Sequence, residues 1–413
     1  MPYVPGSARG LLQHGLQGNP AGKIVLLEPP LPEPIEAHPA GFVLVDGAPL
    51  SHSLIPLLGS GVPVILITRS QAGALQAGME LVIDGTSGLL TTDLTAHSTR
   101  SAARAAGVVS ATRDAMAVSL RVSARGLQAV QHAAAAGADG IGLLRSEFLV
   151  PDDGRMPDAA FYHARFRQLC TAAAGLPLTI RLFDVAASKR PPWLLPGPAA
   201  VLGNQGVRLF ATEPLRSIYH AQLEAIAGLA GEYDVRVLLP YVADLAELHY
   251  WRDDIRQQLP GTIAIGAMAE TPAAALQLHE WLEVTEFVAI GCNDLMQCLF
   301  GADRDQPALS GYLDPYAPAL YRFLQQVADT VQDRLEAVQL CGVLPQLPGI
   351  LPLLLGTGFR AFSVEATLLP YLWQTIADTD AGDARRCAQQ VCRASSSTAV
   401  RQLLGLHYGP LLA

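Results

Sequence analysis

The sequence predicts an α/β protein: a small β-rich domain over residues 1–93, a linking helix over 94–117, and a (β/α)8 TIM barrel with C-terminal helices over 118–413. Three observations predict it. The chain has 413 residues, enough for two or three domains with a large core. Half of the residues are hydrophobic and only 16% are charged, which suits a large buried sheet. After residue 117, short apolar runs alternate with helical patterns, at the strand count and length of a barrel.

Taken in order, residues 1–20 carry Gly and Pro and read as irregular. Strands follow at 23–27, 41–45, 62–67 and 79–83, with Asp46-Gly47 marking a turn after the second. His52, beside Ser51, falls in a turn or at the start of a helix. The stretch 94–117 is polar and alanine-rich, as in a linking helix. Barrel strands are expected at 118–122, 140–144, 178–183, 235–240, 263–268, 287–290, 337–340 and 361–364. Helical patterns separate them, as at 272–282 and 317–334, and 383–413 reads as a terminal helical cap.

The composition excludes several classes. A net charge of −9 argues against a nucleic-acid surface, so any anion must be held by local arginines. Cysteines at 170, 292, 298, 341, 387 and 392 form no C-x-x-C pair, which indicates neither a zinc site nor a disulfide scaffold. Reduced thiols in a cytoplasmic protein are the simplest reading. No secretory leader is expected, and apolar runs such as 350–355 are too short to span a bilayer.

In a barrel, the polar residues that close the strands converge on one face. Arg145 and Glu147 close the second strand, Arg181 and Asp184 the third, Glu270 the fifth, and Asn293-Asp294 the sixth. Asp303-Arg304 follows in the next loop, and Cys341-Gly342 closes the seventh. Arg145, Arg181, Arg304 and, less directly, Arg208 bring guanidinium forks that match phosphate or carboxylate oxygens. Glu270 and Asp294, from adjacent strands, suit Mg²⁺, which takes hard oxygen ligands and keeps water and substrate oxygens. Cys341 is an acid/base candidate, with cationic surroundings expected to lower its pKa, and Cys292 competes for the role. A phosphohistidine at His52 has a physical basis if it opens a helix, where amides favour an anion.

Six stretches carry a resemblance, Asp303-Arg304 being one of them. Gly137-Ala-Asp-Gly-Ile-Gly-Leu-Leu-Arg-Ser-Glu-Phe-Leu149, Arg181-Leu-Phe-Asp184-Val-Ala-Ala-Ser-Lys189, Gly266-Ala-Met-Ala-Glu270-Thr-Pro-Ala-Ala and Ile290-Gly-Cys-Asn293-Asp294-Leu-Met-Gln297 occur in that order, followed by Cys341-Gly342. With them the chain resembles the PEP-utilising enzymes, most closely enzyme I of the bacterial sugar phosphotransferase system, and also PEP synthase and pyruvate phosphate dikinase. The resemblance implies that Arg145, Arg181, Arg208 and Arg304 bind the phosphate and carboxylate of phosphoenolpyruvate, with Asn293 on the phosphoryl group. It implies Mg²⁺ on Glu270 and Asp294, and Cys341 exchanging a proton with C3. His52 matches the phosphorylated histidine of a swivelling domain. A cytoplasmic homodimer paired through the barrel is also implied, with a protein or small molecule accepting the phosphate from His52.

Departures from the family pattern cluster around His52, with Leu50 in place of threonine and Leu57-Leu58 in place of Ala-Arg. Others are Arg121 for asparagine, Ala186-Ala187 for paired glycines, Ser188 for an acid, Val343 for glutamate and Pro345-Gln-Leu347 for a small-Gly-acid run. Neither an ATP-grasp domain nor the helical insert that docks a carrier protein is expected. Two other functions stand beside phosphotransfer: a lyase-like enzyme using only the barrel, and a regulatory protein that senses phosphoenolpyruvate. The metal pair and Cys341 favour an enzyme.

Overall fold

The computed structural model describes residues 1–28, 37–51, 53–94, 110–185, 191, 193–194 and 203–406. Its first part is a sheet of β1 (Pro2–Val4), β2 (Ser7–His14), β3 (Ile24–Leu27), β4 (Gly41–Val45), β5 (Val64–Ile67), β6 (Glu80–Asp84) and β7 (Leu89–Thr91). Their order is β1-β5-β4-β3-β2-β6-β7 among the described residues. Strands β3, β4 and β5 are continuous apolar runs because both faces of a central parallel strand are covered. One face, including Ala8, Leu12, Ile24, Val43, Ile65 and Leu81, forms its own core. The other, with Tyr3, Val25, Phe42, Leu44 and Val64, is continuous with the core of the barrel.

The barrel closes in the order β10-β11-β12-β13-β14-β15-β8-β9, all parallel. These strands are β8 (Ser119–Ala124), β9 (Ile141–Arg145), β10 (Leu178–Arg181), β11 (Val235–Val242), β12 (Ala264–Ala269), β13 (Phe287–Gly291), β14 (Val338–Cys341) and β15 (Ala361–Val364). Alternation along each strand sends one set of side chains out to the helices and the other into the barrel. Val288, Ile290, Leu340 and Phe362 belong to the outer set, whereas Leu238, Met268, Ala289 and Cys341 pack together in the interior.

β9 breaks the alternation. Ile141 pairs with Leu178 and Leu144 with Ile180, so three steps on β9 face two on β10. The same extra residue shows against β8, where Val122 faces Ile141 and Ser123 faces Leu143. This β-bulge leaves Ile141 and Leu144 outside while turning Leu143 inward. Arg145, the next inward position after Leu143, therefore reaches the cavity at the barrel mouth. Gly142 makes room for the bulge: a Cβ there would lie 2.7 Å from Gln339 Oε1, 2.8 Å from Ser363 Oγ and 2.9 Å from Arg121 Cβ.

Several expectations need correction. Residues 1–20 are not irregular but hold β1 and β2. β2 has a poor strand signature, and its pairing with β3 and β6 overrides propensity. The linking helix of 94–117 falls mostly outside the described residues, and its last part is no helix, since a bridge joins Ala111 to Ala117. The helical pattern of 272–282 splits into Pro272–Ala275 and Leu278–Leu282, and that of 317–334 ends as α-helix at Val331. The terminal cap consists of helices Ala381–Arg393 and Ser397–Leu403, with 407–413 outside the described residues. Among the described residues no helix is long and apolar enough to cross a membrane.

Because the bulge has no space for a methyl group, Gly142→Ala is expected to destabilise the protein by about 1–3 kcal/mol. Urea denaturation measures this, and an unchanged midpoint would show that the bulge relaxes without cost.

Candidate active site

The strand ends β9, β10, β12, β13 and β14 surround one cavity, lined by Arg145, Arg181, Glu270, Asn293, Asp294, Arg304 and Cys341. Of the predicted site residues, these seven are brought together. Arg208 is not among them: its Nη1 donates to Gly203 O at 3.1 Å, its guanidinium stacks on Tyr241, and Nε lies 3.6 Å from Glu247. Those partners turn Arg208 away from the cavity, against the expectation. Arg121 also stays outside, within the barrel, with Nη1 3.5 Å from Gln339 Oε1. His52 lies outside the described residues, but Ile55, three positions later on the helix Ile55–Leu58, lines the cavity.

Arg181 is the centre of the charge network. It forms ion pairs with Glu147 and, at 3.0 Å, with Asp184. Burial alone would pull its guanidinium down, but Glu147, Asp184, Glu270 and Asp294 together hold it above its ordinary value. Asp184 is itself pushed up, by burial first, although the Gly206 amide donates to it at 2.9 Å. Arg145 contrasts with Arg181. It makes no ion pair among the described residues, and its Nε is buried without a hydrogen-bond partner. Burial lowers its pKa, and the charges of Arg125 and Arg181 act in the same direction. An arginine kept in such a place calls for an anion from outside.

Glu270 is 3% exposed, and its Oε2 accepts from the Tyr241 amide at 3.1 Å. Gly291 leaves room for its carboxyl group, because a Cβ at that position would overlap it. Burial and then the charge of Asp294 push its pKa up to about 8. Asp294, in the first turn of the helix Cys292–Phe300, pairs with Arg304 at 3.3 Å. No group of three or more His, Cys, Asp or Glu side chains with metal-site geometry exists among the described residues. Two carboxylates that repel one another at the barrel mouth nonetheless fit Mg²⁺, which takes few protein ligands and leaves positions for water and substrate oxygens. The donor set is all hard oxygen, as that ion requires.

Cys341 lies at the end of β14, and its thiol donates to Ile290 O at 3.4 Å. Burial and then Glu270 push its pKa up to about 12, although Arg145 and Arg181 pull it down. The expected lowering is therefore reversed: desolvation outweighs the cationic neighbours. The group stays a thiol at neutral pH, a proton donor rather than a base. Cys292 does not line the cavity; it is buried in the outer core, where its Sγ lies 3.8 Å from Ile290 O. Asn293 Oδ1 accepts from the Val343 amide at 2.9 Å, which fixes the loop after Cys341.

Glu147, Phe148, Asp184 and Gln205 also line the cavity. The strand-end pattern pointed to Glu147 and Asp184, but a role for them required seeing their convergence on Arg181. Gln205 had no signal, because it stands in a loop without periodicity.

Residues 100–381 match the family described as "PEP-utilising enzyme, PEP-binding domain". A phosphoenolpyruvate-protein phosphotransferase of Streptomyces coelicolor is 32% identical over 87% of this chain and 67% of its own length. One of Haloferax volcanii is 29% identical over 95% of this chain and 73% of its own. Multiphosphoryl transfer protein 1 of Escherichia coli is 27% identical over 88% of this chain, which spans 47% of that longer protein.

A carboxyl group whose pKa rises on folding costs stability as pH climbs above its unfolded value of 4.5 towards its folded value of about 8. Glu270→Gln is accordingly expected to raise the stability of the metal-free protein at pH 8 by about 1–3 kcal/mol, with little change at pH 4.5. Thermal unfolding in EDTA at the two pH values measures the difference, and a loss of stability at pH 8 counts against the repulsion.

Proposed function

Because this chain belongs to the PEP-utilising enzymes, we propose that it transfers the phosphoryl group of phosphoenolpyruvate to His52, releases pyruvate, and passes the phosphate to an acceptor. The observation that carries this reading is Arg145 at the mouth of the barrel, with its Nε buried and no ion-pair partner among the described residues.

Arg145, Arg181 and Arg304 bind the phosphate and carboxylate of the substrate, and Asn293 adds a polar contact to the phosphoryl group. Glu270 and Asp294 would hold Mg²⁺, which when bound neutralises phosphoryl charge. His52, as neutral imidazole, attacks phosphorus. The N–P bond forms as the bridging P–O bond breaks, and the electron pair of that bond leaves with the enolate of pyruvate. The Cys341 thiol gives its proton to C3, completing pyruvate. A pKa of about 12 suits this direction, because the proton is present at working pH while the product enolate is a much stronger base. Apolar side chains from Leu143, Met268 and Ile55 in the cavity wall favour the methylene end of the substrate and exclude water.

The acceptor is a protein or a small molecule that takes phosphate from histidine. A barrel-paired homodimer in the cytoplasm accompanies this reading, and sedimentation at twice the chain mass is the check on pairing.

Incubation with phosphoenolpyruvate and Mg²⁺ is expected to give an acid-labile phosphate on His52 and one equivalent of pyruvate. His52→Ala abolishes the adduct, and Glu270→Ala or EDTA abolishes both products. An equal adduct on His52→Ala would sink the proposal. Arg145→Ala is expected to lower kcat/KM for phosphoenolpyruvate by about 10²–10³-fold, as loss of a charged donor to the transferring group does. Steady-state pyruvate release measures this, and a loss under threefold removes Arg145 from that role.

A further inference from the structure

The helix Ile55–Leu58 sits on the turn that follows the last barrel strand. Thr367 Oγ1 donates to Leu58 O at 3.1 Å. Gly59, which caps the helix, backs onto Glu365: a Cβ built on Gly59 would lie 3.6 Å from Glu365 Oε2. Leu54, Ile55, Leu57 and Leu58 are all at most 5% exposed, and they share one apolar core with the barrel.

The turn is also tied to the active site. The Glu365 amide donates to Gln346 Oε1 at 2.8 Å, and Gln346 Nε2 donates to Gly342 O at 2.7 Å. Gly342 lines the cavity beside Cys341. The backbone under the helix is therefore held in register with the strand end that carries the thiol.

We propose that Glu365 and Thr367 are positioning residues: they form the seat on which the helix Ile55–Leu58 docks, Thr367 holding it and Glu365 loosening it, and phosphoryl transfer to His52 requires the docked helix. This rests on the phosphotransfer reading. The seat combines opposing contributions. Burial of the apolar helix face favours docking. Glu365 opposes it, because its carboxylate leaves water beneath the carbonyl end of the helix, where Gly59 N–H already serves Pro56 O and Leu57 O. Arg125, 3.9 Å from Glu365, offsets part of that cost.

The test adds a like charge to the seat in the full chain. Gly59→Asp suits the backbone, since Gly59 has φ −84° and ψ −4° and its Cβ would meet only ordinary contacts, at 3.5 Å from Pro56 O and 3.6 Å from Glu365 Oε2. Amide hydrogen exchange over residues 54–58 is expected to quicken at least about tenfold as the helix lifts. Phosphate transfer to His52 is expected to slow by a similar factor, while Mg²⁺-dependent exchange of pyruvate methyl protons for deuterium, which needs only the barrel, stays within about twofold. Glu365→Gln added to Gly59→Asp removes the repulsion and restores both. Thr367→Val, which loses only the hydrogen bond to Leu58 O, moves both in the same direction by a smaller factor. Unchanged amide exchange in both Gly59→Asp and Thr367→Val, or no restoration by Glu365→Gln, overturns the seat. If the wild-type protein exchanges pyruvate protons but takes no phosphate on His52, phosphotransfer fails as a reading, while the amide measurements still decide the seat.

Discussion

The barrel mouth depends on the clamp between Arg181 and its two carboxylates, Glu147 and Asp184. A guanidinium so deeply buried is tolerated only when its charge is answered nearby. Glu147 comes from the turn after β9 and Asp184 from the chain beyond β10, so the clamp ties two adjacent strand ends together. It also answers much of the charge of Arg181 from within the protein. Arg145 is left as the strongest demand for an external anion, and Arg304 is engaged with Asp294. The division of labour among three arginines of one type thus comes from which carboxylates stand beside each.

The bulge in β9 decides that Arg145 takes part at all. In a regular strand, inward and outward positions alternate, and Ile141 facing out would place Leu143 and Arg145 outside as well. The extra residue at Gly142–Leu143 reverses that parity for the rest of the strand. Packing of the outer core by Ile141 and Leu144 and presentation of Arg145 to the cavity are thereby satisfied in one five-residue strand.

The barrel was legible because buried parallel strands leave short apolar runs with polar exits, and each expected run overlaps an observed strand. The convergence of Arg181, Glu270, Asn293, Asp294, Arg304 and Cys341 followed from the closed topology, whereas that of Arg145 also needed the bulge in β9. What escaped the sequence depended on contacts distant along the chain. β2 has no clear alternation and is held by its neighbours. The sequence pattern set no direction for Arg208, which Tyr241 and Glu247 draw outward. For Cys341 the sequence showed the cationic neighbours but not the burial that outweighs them. The direction of a pKa shift is a competition between two environmental effects, of which only one had a residue-type signature.

The cavity's charge suits the binding of a cation and an anion together. Four carboxylates, of Glu147, Asp184, Glu270 and Asp294, face three guanidiniums, of Arg145, Arg181 and Arg304. Glu147 and Asp184 are committed to Arg181 and Asp294 pairs with Arg304, which leaves Glu270 as the main source of repulsion towards an incoming phosphate. A divalent ion on Glu270 and Asp294 would change the local sign and turn the same surface attractive. Two such ligands would then be coupled: each would raise the affinity of the other, because each would remove charge that the other must oppose. Without the ion, Glu270 relieves the repulsion by taking up a proton, as its raised pKa indicates. Proton and metal would therefore compete for one carboxylate, and acid would weaken a metal site there through Glu270.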